Sequence, residues 1–432
     1  MTVTTIAVTV ALPMYLAIAP FYSRLQRDFA NRGFGRRPPA STEPFRPDVD
    51  VIVPCYNEEP ALLEASLWSL ADQDYKGQMR VWVVDDGSRN LRALRPVLEA
   101  ETGLDLNVVL LDGNRGKREA QAAALHDGCG DVVVTIDSDT SIASDGIRQL
   151  VAWLADPGVG AVTGNLRPSN ADTTWLTKLI DTRYKLLFER ERAAQGFFGT
   201  VFCCAGPFSA YRREAVMEVL ADYLGQRFLG GRRVCGDDLK LTNLVLARGY
   251  RSEFEPNAKA ATDVPTTVRR FVRQQLRWNR SFYRELPRML RLLPGRSRYL
   301  SLDLASRTLL PALSAVVVGA TAADALVAPS GVPLGLGALA LMALVALPLG
   351  PSLSKAAGRR FAIGYGLVFV GLLLPTRLWA ACTLFRNCWG TRERKDYRRT
   401  CASSLRALAS ATTLPFCLYR RIARSSSRPA SP

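Results

Sequence analysis

Histidine is nearly absent from this chain, whose 432 residues include one, His126. A single histidine argues against a Ser-His-Asp triad and excludes a multi-histidine zinc site, so acid–base chemistry falls to carboxylates. The nine cysteines show no paired CxxC spacing, and we interpret them as reduced thiols, not as a disulfide framework. The glycine patterns GxGxxG and GxxxxGKS/T are also missing, which excludes a dinucleotide fingerprint and a P-loop.

Lysine is scarce as well, because only eight of the 56 basic residues are Lys. The net charge is +17, and an Arg-rich chain could bind nucleic acid. However, the basic runs at 23–47 and 386–432 each lie beside a hydrophobic segment. This arrangement favours charge at the cytoplasmic membrane surface, and we expect no nucleic-acid partner.

The N-terminal residues 2–22 carry no charge and approach the ~20 residues that a helix needs to span a bilayer. They lack the basic start and the small-residue cleavage site of a signal peptide. We therefore predict a transmembrane anchor over 1–22 with its N-terminus outside, followed by a basic, Pro-rich linker over 23–48.

The composition changes again after residue 300, where long apolar runs replace the mixed sequence. Runs of this length predict further contact with the bilayer. We predict a membrane region over 301–385 and a basic, cytoplasmic tail over 386–432. The membrane region contains spans near 308–328 and 331–350. It ends in a third span or a re-entrant segment at 361–385, which Pro375 and Arg377 interrupt.

Between these membrane regions, near-continuous apolar strands alternate with helical patterns. This alternation predicts an α/β fold, a mostly parallel sheet with helices on both faces, over a catalytic domain at 49–265. A strongly basic amphipathic stretch follows at 266–300 and predicts interface helices on the membrane. The predicted strands are 49–54, 79–85, 106–111 and 131–137, and the predicted helices are 58–71, 91–101 and 117–127.

Acidic side chains follow the predicted strands at their carboxyl ends, where such sheets bind ligands. Asp137 and Asp139 can share a divalent cation, and their oxygen ligands suit Mg²⁺ or Mn²⁺. Asp85 and Asp86 can accept hydrogen bonds from a nucleotide, although a turn with a helix cap would use the same residues.

Three further motifs carry charge or aromatic groups. The run Gly113 to Arg118 places bases at a helix start that could meet a phosphate, or forms a solvated turn. Asp237 and Asp238 form a second carboxylate pair, in which one acid is the natural general base. Gln274, Arg277 and Trp278 lie in the amphipathic stretch, where Trp suits a sugar and Arg suits a diphosphate.

These motifs resemble those of inverting family-2 glycosyltransferases with the GT-A fold, and more closely those of processive membrane synthases of chitin oligomers, hyaluronan or cellulose. Within that group, the runs 71–90, 174–181 and 191–195 are most similar to the nodulation-type N-acetylglucosaminyltransferase, a chitooligosaccharide synthase. The matching motifs are VIVPCYNEE (51–59), VVDDGSRN (83–90), NRGKREAQ (114–121), DSDT (137–140), CCAGPFSAYRR (203–213), GDDLKLTN (236–243), QQLRWNRS (274–281) and RLWAACTLFRNCWGTR (377–392).

The resemblance implies a role for each matched residue. Asp238 is the general base within the catalytic pair with Asp237. Many relatives have Arg where this chain has Leu239, so a contact behind the acid pair is either missing or supplied by Lys240. The residues implied for the nucleotide-sugar site are Tyr56, Glu58, Asp85, Asp86, Lys117, Asp137, Arg277, Trp389 and Arg392. Those implied for the acceptor site are Cys204, Gly206, Pro207, Gln274 and Trp278. The metal site implied is Asp137 and Asp139 with Mg²⁺ or Mn²⁺.

The expected activity is polymerisation of N-acetylglucosamine from UDP-GlcNAc onto a growing oligosaccharide acceptor. Hyaluronan synthesis, which adds UDP-glucuronate, and a non-processive lipid glycosyltransferase are the alternative enzymes. A non-catalytic scaffold is disfavoured, because the strand-end carboxylates are present. The resemblance implies a multi-pass protein of the plasma membrane that contacts lipids and has a cytoplasmic catalytic domain; the oligomeric state does not follow from the sequence.

Overall fold

The computed structural model describes residues 1–39, 45–225, 227–228, 231–232, 236–327, 329–346, 368–386 and 420–421. Several predictions fall on other residues. The loop 351–360, the first part of the segment 361–385, and both Trp389 and Arg392 lie outside the described residues.

The central sheet has nine strands among the described residues, in the order β11-β3-β2-β1-β4-β7-β6-β10-β5. Strands β3, β2, β1 and β4 run parallel, β7 runs antiparallel to both of its neighbours, and β10 is parallel to β6. This confirms the mostly parallel α/β sheet. The strands are β1 (Val49–Cys55), β2 (Met79–Asp85), β3 (Asp105–Leu110), β4 (Val132–Ile136), β5 (Thr140–Ile142), β6 (Val159–Pro168), β7 (Phe208–Arg212), β8 (Arg227–Phe228), β9 (Gly231–Arg232), β10 (Arg251–Thr262) and β11 (Arg420–Arg421), with β8 and β9 forming a separate ribbon.

The central strands are buried along almost their whole length. Every residue of β4 is buried, which is why its sequence reads as a continuous apolar run. Asp50 in β1 is a charged residue within this buried, apolar region, and it has no exposed surface. Its carboxylate accepts hydrogen bonds from Arg80 at 3.0 Å and Trp82 at 3.1 Å, and from the Gly130 amide at 2.6 Å, which compensates its burial.

Helices cover the sheet and continue beyond it. Helix α4 packs on β1 and β2, and α5, α7 and α10 pack on β10. The helices are α1 (Val3–Phe34), α2 (Pro60–Ala71), α3 (Leu91–Glu99), α4 (Lys117–Asp127), α5 (Gly146–Ala152), α6 (Trp175–Lys185), α7 (Ala193–Phe197), α8 (Arg213–Met217), α9 (Leu220–Leu224), α10 (Asp237–Ala247), α11 (Val268–Arg291), α12 (Arg298–Val327), α13 (Val332–Ala346) and α14 (Leu374–Cys382), and π-helical turns at Leu186–Arg192 and Phe369–Leu373 precede α7 and α14.

Helices α1 and α12 are long and apolar enough to cross a membrane, by length and composition. They pack against each other and against α13 around a second apolar cluster. At one end, the Asp324 carboxylate of α12 accepts the Val3 and Thr4 amides at 3.2 and 2.9 Å, which caps the first turn of α1.

Helix α1 does not end at residue 22. It continues to Phe34, so residues 23–34 of the predicted linker are helical. Packing explains this continuation: Ala30 is buried in the core of the catalytic domain, and the Phe29 ring contacts Phe198 and Tyr299. The end of α1 therefore belongs to the catalytic domain.

The described part of the segment 361–385 packs on the amphipathic helix. Arg280 of α11 donates to the Thr383 hydroxyl at 2.8 Å, and Arg284 donates to the Leu384 carbonyl at 2.7 Å. The Arg377 guanidinium lies over the Phe282 ring. The buried arginines of α11 thus hold α14 in place.

Candidate active site

A cavity of about 790 Å³ opens at the carboxyl ends of the parallel strands and continues between α1 and α12. It brings together most of the site residues that the sequence predicted. Those that line it are Tyr56, Glu58, Asp86, Lys117, Asp137, Asp139, Gly206, Pro207, Asp237, Asp238, Gln274, Arg277 and Trp278.

The loops after β1 and β2 interlock at one end of this cavity. The Asn57 amide donates to Ser88 at 2.8 Å, and the Asn57 side chain accepts the Arg89 amide at 2.7 Å. Asn57 adopts a positive φ of 49° to make both contacts. Glu58, which is 5% exposed, accepts the Ser138 hydroxyl at 2.5 Å. This hydrogen bond joins the loop after β1 to the loop after β4.

Asp86 holds the basic loop that follows β3. Its two carboxylate oxygens accept the Arg115 and Gly116 amides at 2.6 and 2.8 Å. Gly87 lies against this loop: its φ is 72°, and a Cβ atom there would come 2.5 Å from the Gly113 backbone. Asp86 therefore positions the phosphate-binding candidate Lys117 as well as facing the cavity.

Asp85 has a different position from the one we predicted. It is 1% exposed, does not line the cavity, and accepts the Ser88 amide at 2.8 Å. These contacts fit a residue that shapes the turn after β2.

Lys117 and Asp137 form an ion pair at the start of α4. Burial is the largest single effect and opposes the charge on Lys117, but the carboxylates of Asp137, Asp237 and Asp238 together outweigh it and raise the pKa of the ammonium group. Asp139, two residues on, accepts the Thr262 hydroxyl at 3.2 Å. The two aspartates offer oxygen donors that suit Mg²⁺ or Mn²⁺. No cluster of three or more metal-ligating side chains occurs among the described residues, so a metal here would need further oxygens from a diphosphate or water.

The two acids at the start of α10 differ in environment. Asp237 is 7% exposed and is bonded to the buried guanidinium of Arg118. Burial raises the pKa of Asp237, and Arg118 opposes that rise. Asp238 faces the cavity and accepts the Leu239 amide at 2.8 Å with one oxygen. Of the pair, Asp238 is therefore placed to meet a substrate, while Asp237 is engaged by the protein.

The loop before β7 corrects one prediction. Cys204 has no exposed surface and lies outside the cavity lining, whereas its neighbour Cys203 lines the same cavity as Asp238. Burial, with Asp238 as a second cause, raises the pKa of the Cys203 thiol well above its usual range. Lys240 is 5% exposed and does not line the cavity, so any contact that it makes to the acid pair comes from behind the cavity wall.

The far end of the cavity is lined by helices that the sequence assigned to the membrane. The residues there are Tyr15, Ala19 and Tyr22 of α1, Ser306, Arg307, Leu310 and Pro311 of α12, and Phe369 and Arg377 near α14. Their apolar periodicity is that of any membrane helix, so no signal in the sequence marked them as part of a site.

Sequences similar to this chain include glycosyltransferases. Residues 50–220 match Glycosyl transferase family 2. An N-acetylglucosaminyltransferase of Rhizobium sp. (strain N33) is 44% identical over 352 residues, covering 80% of this chain and 77% of that protein. One from Sinorhizobium fredii is 42% identical over 390 residues, covering 89% and 94%, and one from Rhizobium meliloti is 41% identical over 395 residues, covering 89% and 91%.

A solved structure shares the fold. It is a mannosyltransferase from Pyrobaculum calidifontis in complex with GDP-Man and Mn²⁺, with a TM-score of 0.64 and 24% sequence identity. The match covers 90% of this chain and 100% of that one.

Proposed function

The chain belongs to glycosyl transferase family 2, and on that premise we propose that it polymerises N-acetylglucosamine from UDP-GlcNAc into a β-linked, chitin-type oligosaccharide. One observation carries this proposal. A single cavity joins the carboxylates at the strand ends to Gln274 and Trp278 and then continues between two apolar helices. Such a cavity has room for a nucleotide sugar at one end and for the sugars of an acceptor at the other.

The donor binds at the strand ends. Tyr56, Glu58 and Asp86 hold the uridine, and Lys117 and Arg277 meet the diphosphate. A divalent cation on Asp137 and Asp139 would supply further positive charge to the leaving diphosphate. Lys117 leaves Asp137 when the diphosphate arrives, because the phosphate oxygens offer it a second anionic partner.

The acceptor binds across Gln274 and Trp278, with its terminal hydroxyl at Asp238. The carbonyl oxygen of Gln274 is buried and has no hydrogen-bond partner within the described residues, which supports a role as acceptor for a sugar hydroxyl. Asp238 removes the proton of the acceptor hydroxyl as its oxygen attacks C1 of the donor sugar. The C1–O bond to UDP breaks in the same step, so the anomeric configuration inverts.

The protein is a membrane protein with its catalytic domain in the cytoplasm, where UDP-sugars are available. The length and composition of α1 and α12 support insertion in the membrane. Trp389 and Arg392, as in the resembling synthases, complete the nucleotide site.

The donor requirement tests the proposal. Purified membrane protein is supplied with UDP-GlcNAc alone and then with UDP-glucuronate added, and the products are weighed by mass spectrometry. We expect oligomers that grow by one N-acetylglucosamine unit with the single donor. A product that needs both donors would replace this proposal with hyaluronan synthesis, and a single transfer to lipid would indicate the non-processive enzyme.

A further inference from the structure

The run ERAAQ at 191–195 ends in a glutamine that the proposed reaction does not use. Gln195 has no exposed surface and does not line the cavity. Its side chain makes two hydrogen bonds to distant parts of the chain. The amide nitrogen donates to the Asp303 carboxylate of α12 at 2.9 Å, and the carbonyl oxygen accepts the Phe202 amide at 3.3 Å. Gln195 therefore joins a long apolar helix to the loop before β7.

This loop carries the cavity residue Cys203 directly after Phe202. The Phe202 carbonyl oxygen accepts the Asn243 side chain at 3.1 Å. Asn243 belongs to α10, whose first turn contains Asp238. The loop is thus held from one side by the helix that presents the proposed base, and from the other side by Gln195.

Asp303 is held in turn by both helices at the far end of the cavity. Its carboxylate has no exposed surface, accepts the Tyr22 hydroxyl of α1 at 2.6 Å, and lies 3.3 Å from Arg307 Nε, one turn later in α12. Tyr22 and Arg307 line the cavity. Since the Phe202 amide can only donate and the Asp303 carboxylate accepts, Gln195 must present its oxygen to the first and its nitrogen to the second.

We propose that Gln195 is a positioning residue for the acceptor, which holds the loop at Phe202 and Cys203 in a fixed position relative to α12 and to Asp238. The inference rests on the proposed function, because it requires an acceptor at that loop. Glutamine suits the role since a side-chain amide donates and accepts at once, whereas an ionised glutamate only accepts. A loop that is already ordered loses little conformational freedom when the acceptor binds, so the contribution of Gln195 appears in the acceptor KM.

The experiment compares the full chain with Gln195→Glu and with the exchange variant Gln195→Glu/Asp303→Asn, all in one detergent. Glutamate at position 195 can still accept the Phe202 amide but repels Asp303. In the exchange variant, the amide at position 303 donates to the carboxylate at position 195, and the total charge equals that of the parent. Gln149→Glu is the matched control, because Gln149 donates to the Asp145 carboxylate at 3.0 Å and lies outside the cavity lining.

Kinetics with UDP-GlcNAc and chitotriose give the first measurement. We expect the KM for chitotriose to rise about tenfold in Gln195→Glu and to return to within about threefold of the parent in the exchange variant. The dissociation constant of UDP should stay unchanged in both, because the donor residues lie at the strand ends and do not contact Gln195. The control should match the parent throughout.

Alkylation by iodoacetamide, followed by peptide mass spectrometry, gives the second measurement and needs no substrate. Cys203 should react about tenfold faster in Gln195→Glu, because its loop has lost one of its two supports, and at the parent rate in the exchange variant. Cys55 reports general loosening, since it lines the same cavity from β1 and is 2% exposed. Its rate should not change.

Other outcomes overturn the inference. Parental KM and alkylation rates in Gln195→Glu would show that Gln195 does not position the loop. An exchange variant as impaired as Gln195→Glu would show that the bond to Asp303 does not carry the effect, and faster alkylation of Cys55 would reduce the role of Gln195 to general stability.

Two provisions keep the test decisive. If Gln195→Glu does not fold, Gln195→Met replaces it, because methionine is uncharged and removes both strong hydrogen bonds. If the parent makes no N-acetylglucosamine oligomer, the proposed function fails, and the alkylation rates still decide whether Gln195 holds the loop.

Discussion

Substitution by Asn should lower turnover at Asp238 but lower the stability of the fold at its neighbour Asp237. Asp238→Asn removes a carboxylate that faces the cavity and leaves the shape of the side chain unchanged. Loss of a positioned general base typically lowers the rate by about 10²–10⁴-fold. The base acts on the acceptor proton, so the dissociation constant of UDP should stay within a factor of about two.

Asp237→Asn should act on stability instead. Its carboxylate is bonded to Arg118, which is 6% exposed, and removing one partner of a buried ion pair costs about 3–5 kcal/mol. Asn can still accept a hydrogen bond from Arg118, so we expect the lower end of that range. For a catalytic region of this size, about 3 kcal/mol corresponds to a melting temperature lower by about 6–12 °C.

The assay measures turnover, UDP affinity and melting temperature for both variants in the same detergent. The reasoning requires low turnover with a normal melting temperature for Asp238→Asn, and a low melting temperature for Asp237→Asn. Near-normal turnover in Asp238→Asn would refute its role as the base. A normal melting temperature in Asp237→Asn combined with lost turnover would exchange the two roles.

Three further predictions concern helices α1 and α12 and the C-terminal tail. Gly33→Ala should destabilise the protein by about 1–3 kcal/mol, because the new Cβ would lie 2.0 Å from the Ala193 carbonyl oxygen. Gly35→Ala is the control and should be nearly neutral, because its Cβ would meet its nearest atom at 3.4 Å. Equal melting temperatures of the two variants would contradict the close contact between α1 and α7. Asp324→Ala should lower the melting temperature because it removes the acceptor of the Val3 and Thr4 amides, and Asp324→Asn should lower it less; equal melting temperatures of the three proteins would show that these hydrogen bonds do not stabilise α1. A single Cys near residue 425 in an otherwise Cys-free variant should resist a membrane-impermeant maleimide applied to intact cells, and labelling from outside would place the tail on the other side.

The sheet could be predicted from the sequence because its strands are buried on both faces. Burial of that kind leaves continuous apolar runs such as VVVTI at 132–136, and the polar residues that interrupt them mark the strand ends. The helix predicted at 117–127 was confirmed at both ends. Glu58, Asp86, Asp137 and Asp139 share one cavity because the carboxyl ends of parallel strands meet at one edge of the sheet.

The positions that could not be predicted from the sequence lie in irregular loops or in contacts between distant parts of the chain, where helical or strand periodicity gives no information. Cys203 and Cys204 are neighbours in an irregular loop, and only the three-dimensional path of that loop decides that Cys203 faces the cavity. The pairing of Asp237 with Arg118 joins positions far apart in the chain, so it leaves no local pattern. Helix α1 was predicted to end too early, because its charged residues past 22 suggested a linker while their apolar neighbours pack on the catalytic core.

The extension of α1 into the catalytic core has a consequence for how the enzyme can be handled. Ala30 is 2% exposed within the same apolar core as the sheet, and the Arg36 side chain just past α1 is bonded to the buried Glu253 of β10. A soluble fragment beginning after Arg36 would expose the rings of Phe197 and Phe198 and leave the buried Glu253 without its Arg36 partner. Removal of α1 by proteolysis or by recombinant truncation should therefore yield an aggregating fragment instead of a free glycosyltransferase.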